Sequence, residues 1–148
     1  MKNYSIMIID DSETDRYLLK RLIKKTKIKG EVFEAENGKI ALDFFTNEEV
    51  NLKKHPDSYP PNIIFLDINM PVMGGFEFLK KFNEFKSKRE KLNAVVFTMF
   101  TSSQRKEDVE KANAYTFVRD FIIKGSLSPD GLKETIIETF PDILFEGE

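Results

Sequence analysis

Four apolar runs along this chain each end in a reactive side chain. Ile6 to Ile9 runs into Asp10 and Asp11, Ile63 to Leu66 into Asp67, Ala94 to Phe100 into Thr101, and Phe121 to Ile123 into Lys124. Singly, each has a plain explanation: Asp10 and Asp11 as helix-capping acids, Asp67 as a turn residue, Thr101 as a helix cap, Lys124 as a solvated strand end. Together they are three carboxylates, a hydroxyl and an ammonium delivered to the same edge by four strands, and that is the composition of a site.

Three carboxylates meeting in one pocket repel one another. At 4 Å and an effective dielectric of 20 each pair costs about 4 kcal/mol, and three pairs approach the roughly 5–15 kcal/mol stability of a whole domain. The cluster must spread, protonate or bind a cation. With no Cys in the chain and His55 as its one His, the ligands are oxygens, which favours a hard divalent ion; a few carboxylates plus water suit Mg²⁺. A carboxylate left free to react is a nucleophile toward phosphorus and forms an acyl phosphate. That reaction needs positive charge on the equatorial phosphoryl oxygens, which Mg²⁺ and Lys124 supply. It also needs donors to hold those oxygens, for which Thr101 and backbone N–H groups after Asp67 serve.

The elements that carry these residues alternate in the manner of a parallel sheet with helices on both faces. Short continuous apolar runs, as in Ile6 to Ile9 and Ile63 to Leu66, are those of strands buried on both sides. Val32 to Ala35 supplies the second strand. Between the strands the spacing turns helical: Leu18, Leu19, Leu22 and Ile23 on one face after a Ser12/Asp15 cap, then Ile40, Ala41, Phe44 and Phe45 after Asn37-Gly38. Phe78, Leu79, Phe82 and Phe85 follow the turn Met70 to Gly75, and Leu132, Ile136, Ile137 and Phe140 follow Ser128-Pro129. Thr101-Ser102-Ser103 offers hydroxyls where a further helix should begin. Asn47 to Pro61, with Pro56, Pro60 and Pro61, reads as a long surface loop. Most of the fourteen Phe residues fall at helical spacing and read as core.

Length and composition bound the rest. The chain has 148 residues, 41% of them apolar, enough for one compact domain spanning 1–148 that buries roughly 70% of its unfolded surface without a disulfide or structural metal. No internal repeat or linker remains from which to build an effector domain. Lys plus Arg total 23 against 25 for Asp plus Glu, a net charge of -2; the basic excess of nucleic-acid binders is absent and no direct DNA binding is expected. One His without Cys excludes the zinc classes. The run Ile6 to Ile9 is far too short for a signal h-region or a membrane span, so a cytoplasmic protein without a membrane partner is expected.

The motifs Ile8-Ile9-Asp10-Asp11-Ser12-Glu13, Phe65-Leu66-Asp67-Ile68-Asn69-Met70-Pro71-Val72-Met73-Gly74-Gly75-Phe76-Glu77, Thr101-Ser102-Ser103 and Phe121-Ile122-Ile123-Lys124 resemble, in order and spacing, the receiver domain of bacterial two-component response regulators. The resemblance implies a doubly wound, flavodoxin-like α/β fold with strand order 2-1-3-4-5. It implies a signalling protein rather than a turnover enzyme, with Asp67 as phosphoacceptor for a phosphohistidine on a sensor histidine kinase or histidine phosphotransfer protein. Asp11, Asp67 and the backbone carbonyl of Asn69 would hold Mg²⁺, with Asp10 acting largely through water. Lys124 would pair with the phosphoryl group, and Thr101 would swing toward it. Phe121 would then rotate inward and remodel the face formed by the helix after strand four, strand five and the last helix. Asn69 and Ser103 would govern the attacking water in hydrolysis. By the same resemblance the output lies in a separate effector protein, and the chain is a monomer or weak dimer.

Two departures stand out. Most receivers carry Pro after this lysine, often in a cis bond that aims it; here Gly125 follows, and a cis bond would cost about 2.5–4 kcal/mol, so the loop differs or absorbs strain. The usual Gly before strand five is missing from Tyr115-Thr116-Phe117-Val118, which implies a different end to the preceding helix. Three rivals are distinguishable. A haloacid-dehalogenase-like phosphatase requires a general acid two residues after its nucleophile, where this chain has Asn69. A flavin-binding module cradles phosphate in the loop that here opens with Asp10-Asp11. An inactive pseudo-receiver scaffold would not need the intact set of Asp10, Asp11, Asp67, Thr101 and Lys124.

Overall fold

The computed structural model describes residues 4–147. Its strands β1 (Ile6–Ile9), β2 (Val32–Ala35), β3 (Ile63–Leu66), β4 (Val96–Thr101) and β5 (Val118–Ile123) form one parallel sheet in the order β2-β1-β3-β4-β5. Among the described residues six α-helices accompany them, α1 (Glu13–Thr26), α2 (Gly38–Thr46), α3 (Glu48–Lys54), α4 (Gly75–Lys86), α5 (Lys106–Asn113) and α6 (Pro129–Thr139), with a short 3-10 turn at Glu90–Leu92. The expected order is therefore the observed one.

Side chains alternate across a strand, so each strand feeds two cores. Ile6, Ile8, Ile63 and Phe65 point to one face, where Leu19 and Ile23 of α1 and Leu132 and Ile136 of α6 cover them. Met7, Ile9, Ile64 and Leu66 point to the other, under Ala41 and Phe45 of α2 and Phe78, Leu79 and Phe82 of α4. The second core is largely aromatic: the Phe82 ring lies 5.0 Å from those of both Phe45 and Phe97, and Phe97 lies 5.3 Å from Phe117. Phenylalanines do build the core, but helical spacing accounts for only part of it: Phe45, Phe78 and Phe82 are buried on helices, whereas Phe33, Phe65, Phe97 and Phe100 are core residues of strands.

Helix ends follow the hydroxyl signals at two places and not at a third. Ser12 Oγ accepts from the Asp15 N–H at 3.1 Å, and Ser128 Oγ accepts from the Gly131 N–H at 3.0 Å with Pro129 in the first turn. Ser128→Ala is expected to cost about 1 kcal/mol, seen as a lower urea midpoint at unchanged slope; an unmoved midpoint would remove the cap from the account. Thr101, by contrast, ends β4, and α5 starts only at Lys106 after Arg105.

Other corrections are local. Asn47 to Pro61 is not all loop, because α3 occupies Glu48–Lys54. Its acids lie in the first turn and Lys53 and Lys54 in the last, matching the helix dipole, and the Asn51 amide donates to the carbonyls of Phe44 and Asn47. The three prolines fall beyond its end. Leu18 is 49% exposed while Leu19 is buried, since neighbouring helical residues point about 100° apart; Ile40 and Ile137 are likewise exposed. The fourth strand begins at Val96 rather than Ala94, and the fifth already at Val118. Beyond α6 the chain turns back: Ile143 and Phe145 are buried, Phe145 bridges Ile28, and the Tyr4 hydroxyl donates to Asp142 at 2.6 Å.

Candidate functional site

The sheet order reverses at β1, which sends β2 to one side and meets β3 on the other, and the crevice beyond the carboxyl ends of these strands is where such folds bind ligands. Ile9 and Leu66 are register partners, so Asp10 and Asp67 leave the two strands side by side. Asp10 is 2% and Asp67 7% exposed. Glycine lets α4 begin against this edge: a Cβ on Gly75 would sit 2.3 Å from the Asp67 carbonyl oxygen.

Asp10, Asp11 and Asp67 each offer a carboxylate oxygen within 4.8 Å of the others. One oxygen of each buried acid is held by backbone: the Ser12 N–H donates to Asp10 Oδ1 at 2.9 Å, and the Ile68 N–H to Asp67 Oδ1 at 2.8 Å. The other oxygens face Lys124, whose Nζ lies 2.7 Å from Asp10 Oδ2 and 3.0 Å from Asp67 Oδ2. A third acid, Asp15 of α1, meets the same ammonium at 2.9 Å. Arg16 braces the site from behind, donating to the Asp10 carbonyl at 2.7 Å and pairing with Glu34.

Burial pushes the Asp10 carboxyl above the usual carboxylate range, against the hydrogen bonds from Lys124 and the Ser12 N–H that favour its charge. Burial pulls Lys124 down, but hydrogen bonds to Asp10, Asp15 and Asp67 outweigh it, and its ammonium is held above its ordinary value. Lys124 is thus a fixed positive charge. Three acids surround this cation and Asp11 lies beside two of them, leaving negative charge that a hard dication would neutralise.

The oxygens fit such an ion. Magnesium takes oxygens at about 2.0–2.1 Å in an octahedron, so its ligand oxygens stand about 2.9 to 4.2 Å apart; three carboxylate oxygens within 4.8 Å of one another are within reach of one such ion once they draw in around it.

Of the residues expected from sequence, Asp10, Asp11, Asp67 and Lys124 come together. Thr101 reaches the same edge, fully buried, and its carbonyl accepts from the Lys124 N–H at 2.8 Å. Its hydroxyl, however, accepts from the Ser103 N–H at 3.2 Å, so the structure joins Thr101 to Lys124 through backbone. Ser103 Oγ donates to Asp108 at 2.5 Å and accepts from the Arg105 N–H. Asn69 is exposed. Phe121 is half-buried at the margin of the aromatic core. The loop after Lys124 does differ from the usual receiver: cis geometry is absent there, and Gly125 takes φ 88.

Sequence reasoning missed Asp15 and Arg16 as members of the site. Asp15 read only as a cap partner, and a first-turn acid complements the helix dipole wherever it points, so its type carried no separate signal.

Residues 6–132 match the response regulator receiver domain family. A protein-glutamate methylesterase/protein-glutamine glutaminase of Desulfotalea psychrophila is 31% identical over 84% of this chain, and this chain spans 30% of that protein's length. Sporulation initiation phosphotransferase F of Bacillus subtilis is 29% identical over 83% of this chain and 87% of its own. The Mn(2+)-bound form of response regulator Rcp1 has the same fold, with a TM-score of 0.68 at 24% identity over 98% of this chain and 96% of that one. Among the described residues, no helix is long and apolar enough to cross a membrane.

Proposed function

Because the chain belongs to the response regulator receiver domain family, we propose that Asp67 accepts a phosphoryl group from a phosphohistidine on a sensor histidine kinase or histidine phosphotransfer protein in the cytoplasm. A carboxylate oxygen of Asp67 forms the new O–P bond as the N–P bond breaks. The bonding pair returns to the imidazole nitrogen, and the acyl phosphate later yields to water. The observation that carries this reading is the convergence of Asp10, Asp11 and Asp67 within 4.8 Å, with Lys124 3.0 Å from Asp67.

Mg²⁺ bound by Asp10, Asp11, Asp67 and the Asn69 backbone carbonyl would neutralise phosphoryl charge, and the all-oxygen donors and the Mn(2+) held by Rcp1 support a divalent ion there. Lys124 pairs with the transferred group. Thr101 gives up the Ser103 N–H to donate to it, and Phe121 follows inward, changing the face of α5, β5 and α6 that a downstream effector reads. Asn69 and Ser103 set the access of the hydrolytic water.

Incubated with Mg²⁺ and phosphoramidate, a small N–P donor, the protein should gain the mass of one phosphoryl group and lose it in hydroxylamine, which cleaves acyl phosphates. Absence of the gain, or a label that hydroxylamine leaves in place, would overturn the assignment.

A further inference from the structure

We propose that Asp15 is a positioning residue for Lys124, holding the ammonium over the acid pocket so that it meets the phosphoryl group on Asp67. The inference rests on the phosphoacceptor reading of Asp67 and adds a residue to it. The Lys124 ammonium has three donors and three carboxylate partners, Asp10 at 2.7 Å, Asp15 at 2.9 Å and Asp67 at 3.0 Å. Asp10 and Asp67 belong to the group whose oxygens share a space the size of a metal ion; Asp15 does not. Its side chain is 37% exposed, at the edge of the pocket. A dication drawn in by Asp10, Asp11 and Asp67 takes up part of their charge, and Asp15 is then the carboxylate still committed to the lysine.

An anchor is needed because the chain around Lys124 does not provide one. The Lys124 N–H donates to the Thr101 carbonyl at 2.8 Å, which fixes the backbone, but a flexible four-carbon stem follows. The next residue, Gly125, takes φ 88, and a Cβ built on it would meet nothing within 4 Å, so no wall stands on that side. Lys124 also lines a groove of about 310 Å³ floored by Leu18, Leu22, Phe100 and Leu127, which leaves the side chain room to swing out. Asp15 opposes that swing from a rigid base: it lies in the first turn of α1, with its N–H donated to Ser12 Oγ. Acting through Lys124, it makes no contact with the reacting atoms of its own.

The test follows phosphoryl uptake from phosphoramidate at saturating Mg²⁺ by intact mass. Losing one charge-assisted hydrogen bond at a partly solvated site slows Asp15→Ala about tenfold at saturating donor with the donor KM unchanged, whereas Asp15→Asn, which keeps an acceptor, slows about threefold. In a Lys124→Ala background the Asp15→Ala effect should vanish, because a residue acting only through Lys124 has nothing left to position. Uptake by Asp15→Ala within twofold of wild type, or a loss that persists undiminished without Lys124, overturns the proposal. A second measurement is independent of activity. The Lys124 ammonium should give a ¹⁵N–¹H cross-peak protected from solvent exchange in the wild type and lost in Asp15→Ala; an unaltered peak also overturns it. A wild type that takes up no phosphoryl group would instead defeat the phosphoacceptor reading, while the ammonium signal would still report whether Asp15 anchors Lys124.

Discussion

Asp67→Asn takes up no phosphoryl group under conditions in which the wild type is labelled, and it stays folded. The amide has no anionic oxygen, and its lone pairs are delocalised, so attack on phosphorus is lost outright rather than slowed. The fold survives because Asn keeps an oxygen for the Ile68 N–H. The charge-assisted bond to Lys124 that disappears, about 1.5–3 kcal/mol, is opposed by relief of repulsion toward Asp10, whose carboxyl the neighbouring Asp67 charge pushes up. Intact mass reads the first outcome and a melting curve the second. Equal labelling of both proteins would remove Asp67 from its role.

Mg²⁺ raises the melting temperature, and Asp11→Ala removes much of the rise. An ion bound only by the folded state stabilises it by about 2.7 kcal/mol at one hundred times its dissociation constant, which for a chain of this size is about 5–10 °C. Asp11 is the exposed member of the acid group, so replacing it disturbs the metal-free fold little while withdrawing a ligand. Should its loss weaken binding tenfold, the stabilisation at the same Mg²⁺ concentration drops to about 1.4 kcal/mol. Superimposable melting curves with and without Mg²⁺ would exclude a metal from this pocket.

What the order of residues determines by itself is the set of strand ends. Apolar run, then Asp, Thr or Lys, is a local pattern; a parallel sheet aligns the carboxyl ends of its strands, and so the acids, the hydroxyl and the ammonium reach one edge whatever the loops do. The apolar faces of the helices follow from periodicity, whereas the strand order comes from the resemblance to the receiver family and not from any spacing in the chain. The α3 helix was not legible because its seven residues have no apolar stripe, and a polar stretch before prolines looks the same whether a neighbour such as Phe44 receives its Asn51 amide or not. Leu18 was misread because periodicity gives the hydrophobic face but not its width, which depends on what packs against it.

The tertiary structure alone decided which partners the charged groups take. Asp15 and Lys124 are 109 residues apart, and their meeting depends on the tilt of α1, the turn at Gly125 and the rotamers of a long side chain. The resting bond of Thr101 to the Ser103 N–H, rather than to the acid pocket, is likewise a matter of loop path. Sequence therefore specifies the inventory at the sheet edge, because alternation and strand ends are local properties of the chain; the pairing within that inventory waits on the fold, because electrostatic partners are chosen by distance in space.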